Sequence, residues 1–399
     1  MMSQLQQAYI VAATRTPIGK APRGVFMHTR PDELLATVIN GLLAQVPNLD
    51  PAVVEDAIVG CAIPEGPQGL NVARIGALLS ILPDTVGGIT VNRFCASGLS
   101  AIAMAADRIR TGEADILIAA GTESMSQVPT MGVSTSFSPE IFAHDENLGI
   151  AYGMGLTAEQ VAKQWKVSRE DQDAFALASH QKALAAQQKG EFNDEMLPVE
   201  VTRRVPNLET GQIDLHTQTV SLDEGPRADT SLEALAKLRP VFAARGSVTA
   251  GNSSQTSDGA GALLVVSEKA LKEHKLTPLA RFVTSAVRGV PPEIMGIGPK
   301  VAIPMALKQA GLRADQLGWI ELNEAFAAQS LAVIRDLDLN PDVINPMGGA
   351  IALGHPLGAT GAIRAATVIH GLRRHNLDYG MLTMCVGTGM GMAGIFERV

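Results

Sequence analysis

Aromatic residues are scarce in this chain of 399 residues: Phe, Trp and Tyr together make up 4%. Its interior must therefore be packed from Ala, Val, Leu, Ile and Met, which suits layered α/β packing, where small residues let helices lie close on a sheet. Cysteine is scarcer still. Cys61, Cys95 and Cys385 are too few and too scattered for a disulfide framework. Positive charge is in deficit as well: the net charge is −8 and no Lys/Arg-rich block interrupts the sequence, which argues against a nucleic-acid partner. No continuous apolar run approaches the roughly 20 residues of a membrane helix. The opening "MMSQLQQAYIVAATRTP" also lacks the basic region and apolar stretch of a signal peptide. These absences point to a cytoplasmic protein in a reducing compartment, where free thiols survive.

Glycine, by contrast, is abundant at 39 residues, and 46% of the chain is hydrophobic. That length and composition predict a compact protein of two or three domains, rich in tight turns. In the first part, strand-like runs ("AYIVAATRTP", "DAIVGCAIP", "GGITVNRF", "ADILIAAGTE") alternate with helical ones ("RPDELLATVINGLLAQV", "NVARIGALLSIL", "GLSAIAMAADRIRTG"). This reads as α/β. From about residue 124 the character changes to loop-like punctuation. "SREDQDAFALASHQKALAAQQKG" then predicts a helix, with Ser168 as N-cap and Asp171 three residues on. The polar stretch from about 191 to 246 reads as an excursion over one domain rather than another βα unit. Alternation resumes at "GALLVVSEKA" and runs through "LARFVTSAVRG" and "KVAIPMALKQAG" to a final strand, "YGMLTMCVGTGMGMAGIFERV". The halves echo one another. "GLSAIAMAADRIRTGEADILIAAGTE" has a looser counterpart in "GATGAIRAATVIHGLRRHNLDYGMLTMCVGTG", and "DAIVGCAIPEG" has one in "GWIELNEAFAA". A duplicated α/β domain with a long loop region between its halves is the expected architecture.

Three stretches could carry chemistry. Cys95, in "TVNRFCASGLS", follows a strand and precedes a helix whose Leu99, Ile102, Ala103, Ala106 and Ile109 mark an apolar face. It is either a packing cysteine in a β→α corner or a nucleophile whose thiolate the helix N-terminus favours. His355 sits between Gly354 and Pro356 in "NPMGGAIALGHPLGATGAIRAA", a glycine density that suggests close approach by backbone or ligand. No other histidine pairs with a cysteine at metal-ligand spacing, so a zinc site is unsupported. Cys385 in "MLTMCVGTGMG" is by itself an ordinary strand cysteine, but it ends an apolar strand just before Gly387 and Gly389, where α/β proteins place functional groups. Cys61 has no comparable glycine cluster and reads as structural. Gly389, Gly391 and Gly394 spell G-x-G-x-x-G, yet only "IFERV" follows, so no helix is available to hold a pyrophosphate.

Together these stretches resemble the thiolase family over essentially the full length. The resemblance is carried by "VNRFCASGLSA", "GLTAEQVA", "GSVTAGNSSQTSDGAGALL", "ELNEAFAAQ", "NPMGGAIALGHPLGATGAIR" and "MCVGTGMGMAGIFE", and is greatest to degradative 3-ketoacyl-CoA thiolases. It implies duplicated domains packed as an αβαβα core, with a loop domain inserted in the N-terminal half. The expected division is 1–123 and 247–275 for the N-terminal half, 124–246 for the loop domain that helps bind CoA, and 276–399 for the C-terminal half. The implied activity is CoA-dependent thiolytic cleavage of 3-ketoacyl-CoA to acetyl-CoA and an acyl-CoA two carbons shorter. By resemblance, Cys95 is acylated, His355 takes its proton, and Asn323 of "NEAF" holds a water that completes the first oxyanion site. Cys385 is the second acid–base, and the N–H groups of Cys95 and Gly387 form the other oxyanion site. Condensing synthases, the sister class, carry histidine or asparagine where this chain has Cys385.

CoA is implied as a cosubstrate, with no metal, flavin or nicotinamide. By the same resemblance Ser254 meets the pantetheine, Arg227 lies near the nucleotide end, and Met154, Ala325 and Phe326 lie near the acyl and pantetheine path. Arg227, Lys237, Arg239 and Arg245 form the expected cationic cluster for the phosphates. Short-chain acetoacetyl-CoA thiolases place a histidine before the "MG" of "AYGMGLTAE", where this chain has Gly153. That departure, with a preceding loop that reads as shorter than in the tetrameric biosynthetic thiolases, favours degradation of longer or bulkier acyl groups and a homodimer, a homotetramer being the alternative. A short-chain thiolase working in the condensing direction is the rival reading of function.

Overall fold

The structure, a computed structural model, describes residues 5–399; the first four residues of the opening stretch lie outside the described residues. The chain begins with β1 (Ala8–Arg15), β2 (Gly19–Lys20), α1 (Pro31–Ala44), β3 (Asp56–Gly60), α2 (Val72–Leu79), β4 (Ile89–Val91), α3 (Ser97–Thr111) and β5 (Ile116–Ser124). An irregular stretch leads to α4 (Met154–Gln164), α5 (Arg169–Gln188), the hairpin strands β6 (Val199–Pro206) and β7 (Ile213–Val220), and α6 (Leu232–Ala236). The sheet is re-entered by β8 (Ser257–Ser267), then α7 (Glu268–Glu273), β9 (Ala280–Gly289), α8 (Gly298–Ala310) and β10 (Leu317–Leu322). The last elements are α9 (Ala327–Asp336), α10 (Ala350–Leu353), α11 (Thr360–Arg374), β11 (Tyr379–Val386) and β12 (Met390–Arg398).

The main sheet runs β10-β11-β12-β9-β1-β8-β5-β3-β4. Outward from its middle, each half repeats one order: β1, β8, β5, β3 on one side and β9, β12, β11, β10 on the other. In both, the outer pair named is parallel and the inner pairs are antiparallel. The sequence echo therefore has a structural counterpart, with β3 matching β10 and α3–β5 matching α11–β11. Two residue pairs, Tyr9–Arg281 and Ile10–Ala280, join the halves.

Three apolar layers build the core. Leu34, Leu35 and Ile39 of α1 and Val72 of α2 cover the outer face of the first half. Ile303 of α8 and Val333 of α9 cover the outer face of the second, against Ile320, Met381 and Ile395. Between the halves lie α3 and α11, packed on each other and on both sets of strands through Leu99, Ile102, Ile363 and Ile369. The order is αβαβα. Because strands β5 and β8 are covered on both faces, every residue in them is buried, and they read as continuous small and aliphatic runs.

The central helices touch backbone to backbone. A Cβ on Gly361 would stand 2.1 Å from the Leu99 nitrogen, and one on Gly98 would stand 2.6 Å from the Ala362 nitrogen. Glycine at both positions brings the N-termini of α3 and α11 together, and the segments carrying Cys95 and His355 lead into those N-termini.

Two expectations are corrected. The final strand is two antiparallel strands, β11 and β12, joined by a turn in which Thr388 has φ +67° and Gly389 φ +94°. Gly391 of the G-x-G-x-x-G pattern serves packing, since a Cβ there would stand 2.0 Å from the Gly298 carbonyl carbon at the start of α8. The polar excursion is not all loop: residues 199–220 form the β6–β7 hairpin, largely exposed, and solvent on both sides left little hydrophobic period to read. The helix over 169–188 starts as expected, with Ser168 Oγ accepting the Asp171 N–H at 3.0 Å; the Asp171 carboxylate instead meets Arg335 at 2.7 Å. Among the described residues no helix is long and apolar enough to cross a membrane.

Candidate active site

Cys95 lies in a tight turn, Phe94–Ala96, between β4 and α3. Asn92 Oδ1 accepts the Phe94 N–H at 2.8 Å, Phe94 adopts φ +43°, and Ser97 Oγ accepts the Arg93 N–H at 2.9 Å, so the turn is fixed from both sides. The residue is 8% exposed. It opens onto a cavity of about 250 Å³ lined by Ile63, Met131, Phe137, Ile150, Met154 and Leu357, with Gly387 at its edge. The N–H groups of Gly387 and of Cys95 itself bear on the sulfur and favour its thiolate, but burial outweighs them and pushes the thiol up to about 12. The donors expected before a helix are thus present and favour the thiolate, but burial outweighs them. The local signal was real, and the tertiary burial that overrides it is invisible in a short stretch.

His355 follows α10 through Gly354, whose φ of +104° only glycine adopts readily, and a Cβ there would also meet Ser257 Oγ at 2.4 Å. The His355 N–H donates to the Gln255 carbonyl and to Ser257 Oγ, each at 3.1 Å. Its ring is pinned at both nitrogens, Nδ1 to Thr360 Oγ1 at 2.7 Å and Nε2 to Asn323 Nδ2 at 3.3 Å. With the amide assigned this way, Nε2 is the acceptor and Nδ1–H donates to Thr360. Burial, then the charge of Arg364, pulls the imidazole down to about 3, so it is neutral at physiological pH. Asn323, just past β10, is buried; its N–H donates to the Thr383 carbonyl at 2.9 Å, and its Oδ1 has no hydrogen-bond partner among the described residues.

Cys385 is fully buried near the end of β11, opposite Gly391 of β12. Burial raises its pKa well above the ordinary thiol range, and the proximity of Cys95 adds to the rise. Met154, Ala325 and Phe326 share one apolar cluster with Cys385. Ser254 joins it through the backbone, its N–H donating to the Ala325 carbonyl at 2.9 Å. The structure thus gathers Cys95, Gly387 and Met154 around one cavity, with Cys385 buried behind it beside Cys95, Ala325, Phe326 and Ser254 adjoining, and His355 paired to Asn323. The turn after His355, Leu357–Ala359, packs on the turn that holds Cys95.

Of the expected cationic cluster, Arg227 and Arg245 line different cavities, while Lys237 and Arg239 flank Leu238, which lines the cavity of Arg227. Arg227 lines a second cavity, of about 380 Å³, with Lys20, His180, Asp229 and Gln255, and its guanidinium pairs with Asp229 at 3.1 Å. Arg245 lines a separate cavity beside Glu159 and Lys163, and Lys237 and Arg239 are exposed. The cation that accompanies Arg227 is Lys20, which comes from β2 and carries no signal in sequence. His180 accepts the Arg227 N–H at 3.2 Å, and burial and the Arg227 charge hold it down to about 4.

Sequence reasoning also missed the buried carboxylates that hold these loops. Glu324, beside Asn323, accepts Ser179 Oγ at 2.7 Å, Asn345 Nδ2 at 2.8 Å and the Ile351 N–H at 3.1 Å, clasping α5 and the "NPMGG" loop to the "NEAF" loop. Its one available signal was an acidic residue placed just past the carboxyl end of a strand.

Profiles of the thiolase N-terminal domain and thiolase C-terminal domain match residues 8–269 and 276–398. The chain is 50% identical over 395 residues to a 3-ketoacyl-CoA thiolase of Bacillus subtilis, covering 98% of this chain and all of that one. Among solved structures it superposes on the human mitochondrial 3-ketoacyl-CoA thiolase with a TM-score of 0.88 at 38% identity, and on the Bacillus anthracis acetyl-CoA acetyltransferase with 0.89 at 37% identity. Both superpositions cover 100% of each chain.

Proposed function

The chain belongs to the thiolase family, and from that premise we propose that it is a 3-ketoacyl-CoA thiolase, an acetyl-CoA C-acyltransferase. It cleaves 3-ketoacyl-CoA with CoA to acetyl-CoA and an acyl-CoA two carbons shorter. What carries the reading in the site itself is the pairing of two buried thiols, Cys95 under the N–H groups of Cys95 and Gly387, with Cys385 beside it.

Cys95 sulfur attacks the C3 carbonyl while His355 Nε2 takes the thiol proton. The C2–C3 bond then breaks, and its electron pair leaves on acetyl-CoA as an enolate. Cys385 protonates that enolate at C2 and becomes a thiolate, which deprotonates the incoming CoA. The CoA thiolate attacks the acyl-Cys95 carbonyl, and the departing Cys95 sulfur recovers its proton from His355. Asn323 Oδ1, an acceptor with no hydrogen-bond partner among the described residues, suits a water aimed at the first oxyanion; the Cys95 and Gly387 N–H groups serve the second. Protons and acyl groups balance without a metal or redox cofactor, so CoA is purely a cosubstrate.

Residues 124–246 act as the CoA-facing loop domain, a reading supported by the placement of Met154 and Arg227 there. A Cβ on Gly153 would meet nothing within 4 Å, which leaves room where short-chain relatives carry a histidine and favours longer or bulkier acyl groups in a degradative, β-oxidation type of reaction. Three free cysteines suit a reducing compartment such as cytoplasm. A homodimer is supported by β4, an outer strand of the described sheet with Ile89 exposed on it, and by the exposed Leu70, Leu78, Leu79 and Ile81 in and around α2. Native mass spectrometry tests it, and a monomer at micromolar concentration would refute it. The activity is tested by incubation with a 3-ketoacyl-CoA in the absence of free CoA. Intact mass should show an acyl adduct mapping to Cys95, absent in Cys95→Ala; an adduct on Cys61 or Cys385 instead would overturn the assignment.

A further inference from the structure

Glu123 has no part in the chemistry above, yet it is 1% exposed and surrounded by donors. Its Oε2 accepts the N–H of Ala62 at 2.7 Å and of Gly358 at 2.8 Å. Oε1 accepts the Ile63 N–H at 3.3 Å, the Gln68 amide, and the Cys61 thiol at 3.7 Å. None of these partners is a cation. The Gln68 amide is spoken for at both ends, donating also to the Ile63 carbonyl at 2.8 Å and accepting the Ser124 N–H at 2.9 Å. A nest of this kind suits a group that only accepts, an ionised carboxylate, although burial works against the charge.

These donors come from segments that border the Cys95 site. Ala62 and Ile63 form a wall of the cavity onto which Cys95 opens. Gly358 lies between His355 and Thr360, whose hydroxyl holds the imidazole at 2.7 Å. A Cβ on Gly358 would stand 2.5 Å from the Ala62 nitrogen and 2.8 Å from Glu123 Oε2, so wall, loop and carboxylate are in direct contact. We propose that Glu123 is a positioning residue for thiolysis, its carboxylate fastening the acyl-cavity wall and the His355 loop into one unit around Cys95. A second consequence follows from its charge, which disfavours a thiolate at Cys95.

The kinetic part of the test rests on the thiolase reading; the alkylation part does not. Glu123→Gln keeps the size and removes the charge, whereas Glu123→Asp keeps the charge and shortens the reach. Each variant would be compared with the wild type by thermal melting, by thiolysis with 3-ketoacyl-CoA and CoA varied separately, and by the pH dependence of iodoacetamide alkylation mapped to Cys95. The charged and titratable groups around Cys95 and Glu123 are Cys61 just past β3, Cys385 from β11, His355 from the loop before α11, Glu65 in the cavity wall and Arg93 in the preceding turn; only Glu123 is substituted, and because Cys61 also feels its charge, alkylation is counted at Cys95 and Cys61 separately. Folded Glu123→Gln should alkylate Cys95 about 3- to 10-fold faster at a fixed pH, because a negative neighbour is gone. Its kcat for thiolysis should fall about 10- to 100-fold with KM for CoA unchanged, as for displaced reacting groups. Glu123→Asp should lose thiolysis without faster alkylation. A folded Glu123→Gln within twofold of wild type in both readouts overturns the proposal, and so does a parallel fall of both that tracks the melting temperature. Should Glu123→Gln fail to fold, wild-type thiolysis in Glu123→Asp overturns it equally. A wild-type protein without thiolysis would remove the activity reading and leave the alkylation comparison standing.

Discussion

Gly361 lies in the first turn of α11, and a Cβ there would stand 2.1 Å from the Leu99 nitrogen and 2.7 Å from the Gly98 carbonyl carbon in α3. Neither atom can swing aside, because both belong to the backbone of a helix whose first seven residues are buried. Ordinary contact begins near 3.4 Å, so Gly361→Ala asks the two helices to part by roughly 1.3 Å at this point. Overpacking of this kind costs about 1–3 kcal/mol, partly offset by the ~1 kcal/mol that alanine gains over glycine inside a helix. The protein should therefore fold, with a melting temperature lowered by a few degrees. Catalysis should suffer more than stability. Cys95 lies two residues before the start of α3, and Thr360, which holds the His355 ring, opens α11, so parting the N-termini separates the proposed nucleophile from its base. A misplacement of about 1 Å can cost about 100-fold. Steady-state thiolysis of Gly361→Ala should show kcat/KM lower by about that factor, or ~2.7 kcal/mol of transition-state stabilisation. Activity within threefold of wild type, in a variant that melts normally, would show that the spacing of these helix ends does not set the site.

Cys385→Ser should fold yet lose thiolysis about 10²–10⁴-fold, because a serine hydroxyl is too weak an acid for the enolate; exchange at C2 of acetyl-CoA followed by deuterium should be lost with it, and near wild-type rates would return Cys385 to the core. Cys95, neutral at rest, should alkylate ever faster as pH rises past 9, with no plateau near neutrality; a plateau at pH 7 would mean a preformed thiolate. Arg227→Ala should raise KM for CoA about 3- to 10-fold with kcat intact, since a remote phosphate contact is made equally in ground and transition states. Asp229→Asn, which frees the Arg227 guanidinium, should move KM the other way; a collapse of kcat in either variant would give Arg227 a different job.

Local pattern pointed to the elements and to the proposed reacting groups, and distance in the chain hid what holds them. Cys95 stood out because a strand end, small residues and a helix start are all read within a dozen residues. His355 stood out because glycines at 348, 349, 354, 358 and 361 have few other uses. The duplication was legible in faint repeats, since β3 and β10, or α3–β5 and α11–β11, meet the same packing demand in each half. Glu123 gave no comparable signal: it binds Ala62 and Gly358, 61 and 235 residues away. The same holds for Lys20 beside Arg227, whose proximity depends on a two-residue strand against β8. The turn inside "CVGTGMGM" was missed because glycine fits strand and turn alike, and only the positive φ at Thr388 and Gly389 separates them.

Burial of the two thiols then explains more than packing. Burial pushes Cys95 up to about 12 and His355 down to about 3, so in the proposed reaction proton transfer between them is unfavourable unless a carbonyl receives the charge. Once the sulfur adds to C3, the negative charge resides on an oxygen, where hydrogen-bond donors fixed by the fold can meet it at no cost in reorganisation. The nucleophile is thus drawn out by its substrate and is otherwise protected from adventitious electrophiles. For Cys385 the raised pKa would serve both directions of the acid–base role proposed for it. It ensures the thiol form, the only one able to protonate an enolate, and the enolate is so strong a base that a weakened thiol still suffices. The thiolate left behind is a stronger base than an ordinary one, and the thiol of incoming CoA, near 8.5 like any unperturbed thiol, gives up its proton to it downhill. An ordinary carboxylic acid in the same place would protonate the enolate readily but would be a far weaker base toward CoA, so a buried thiol suits the second acid–base role proposed for Cys385.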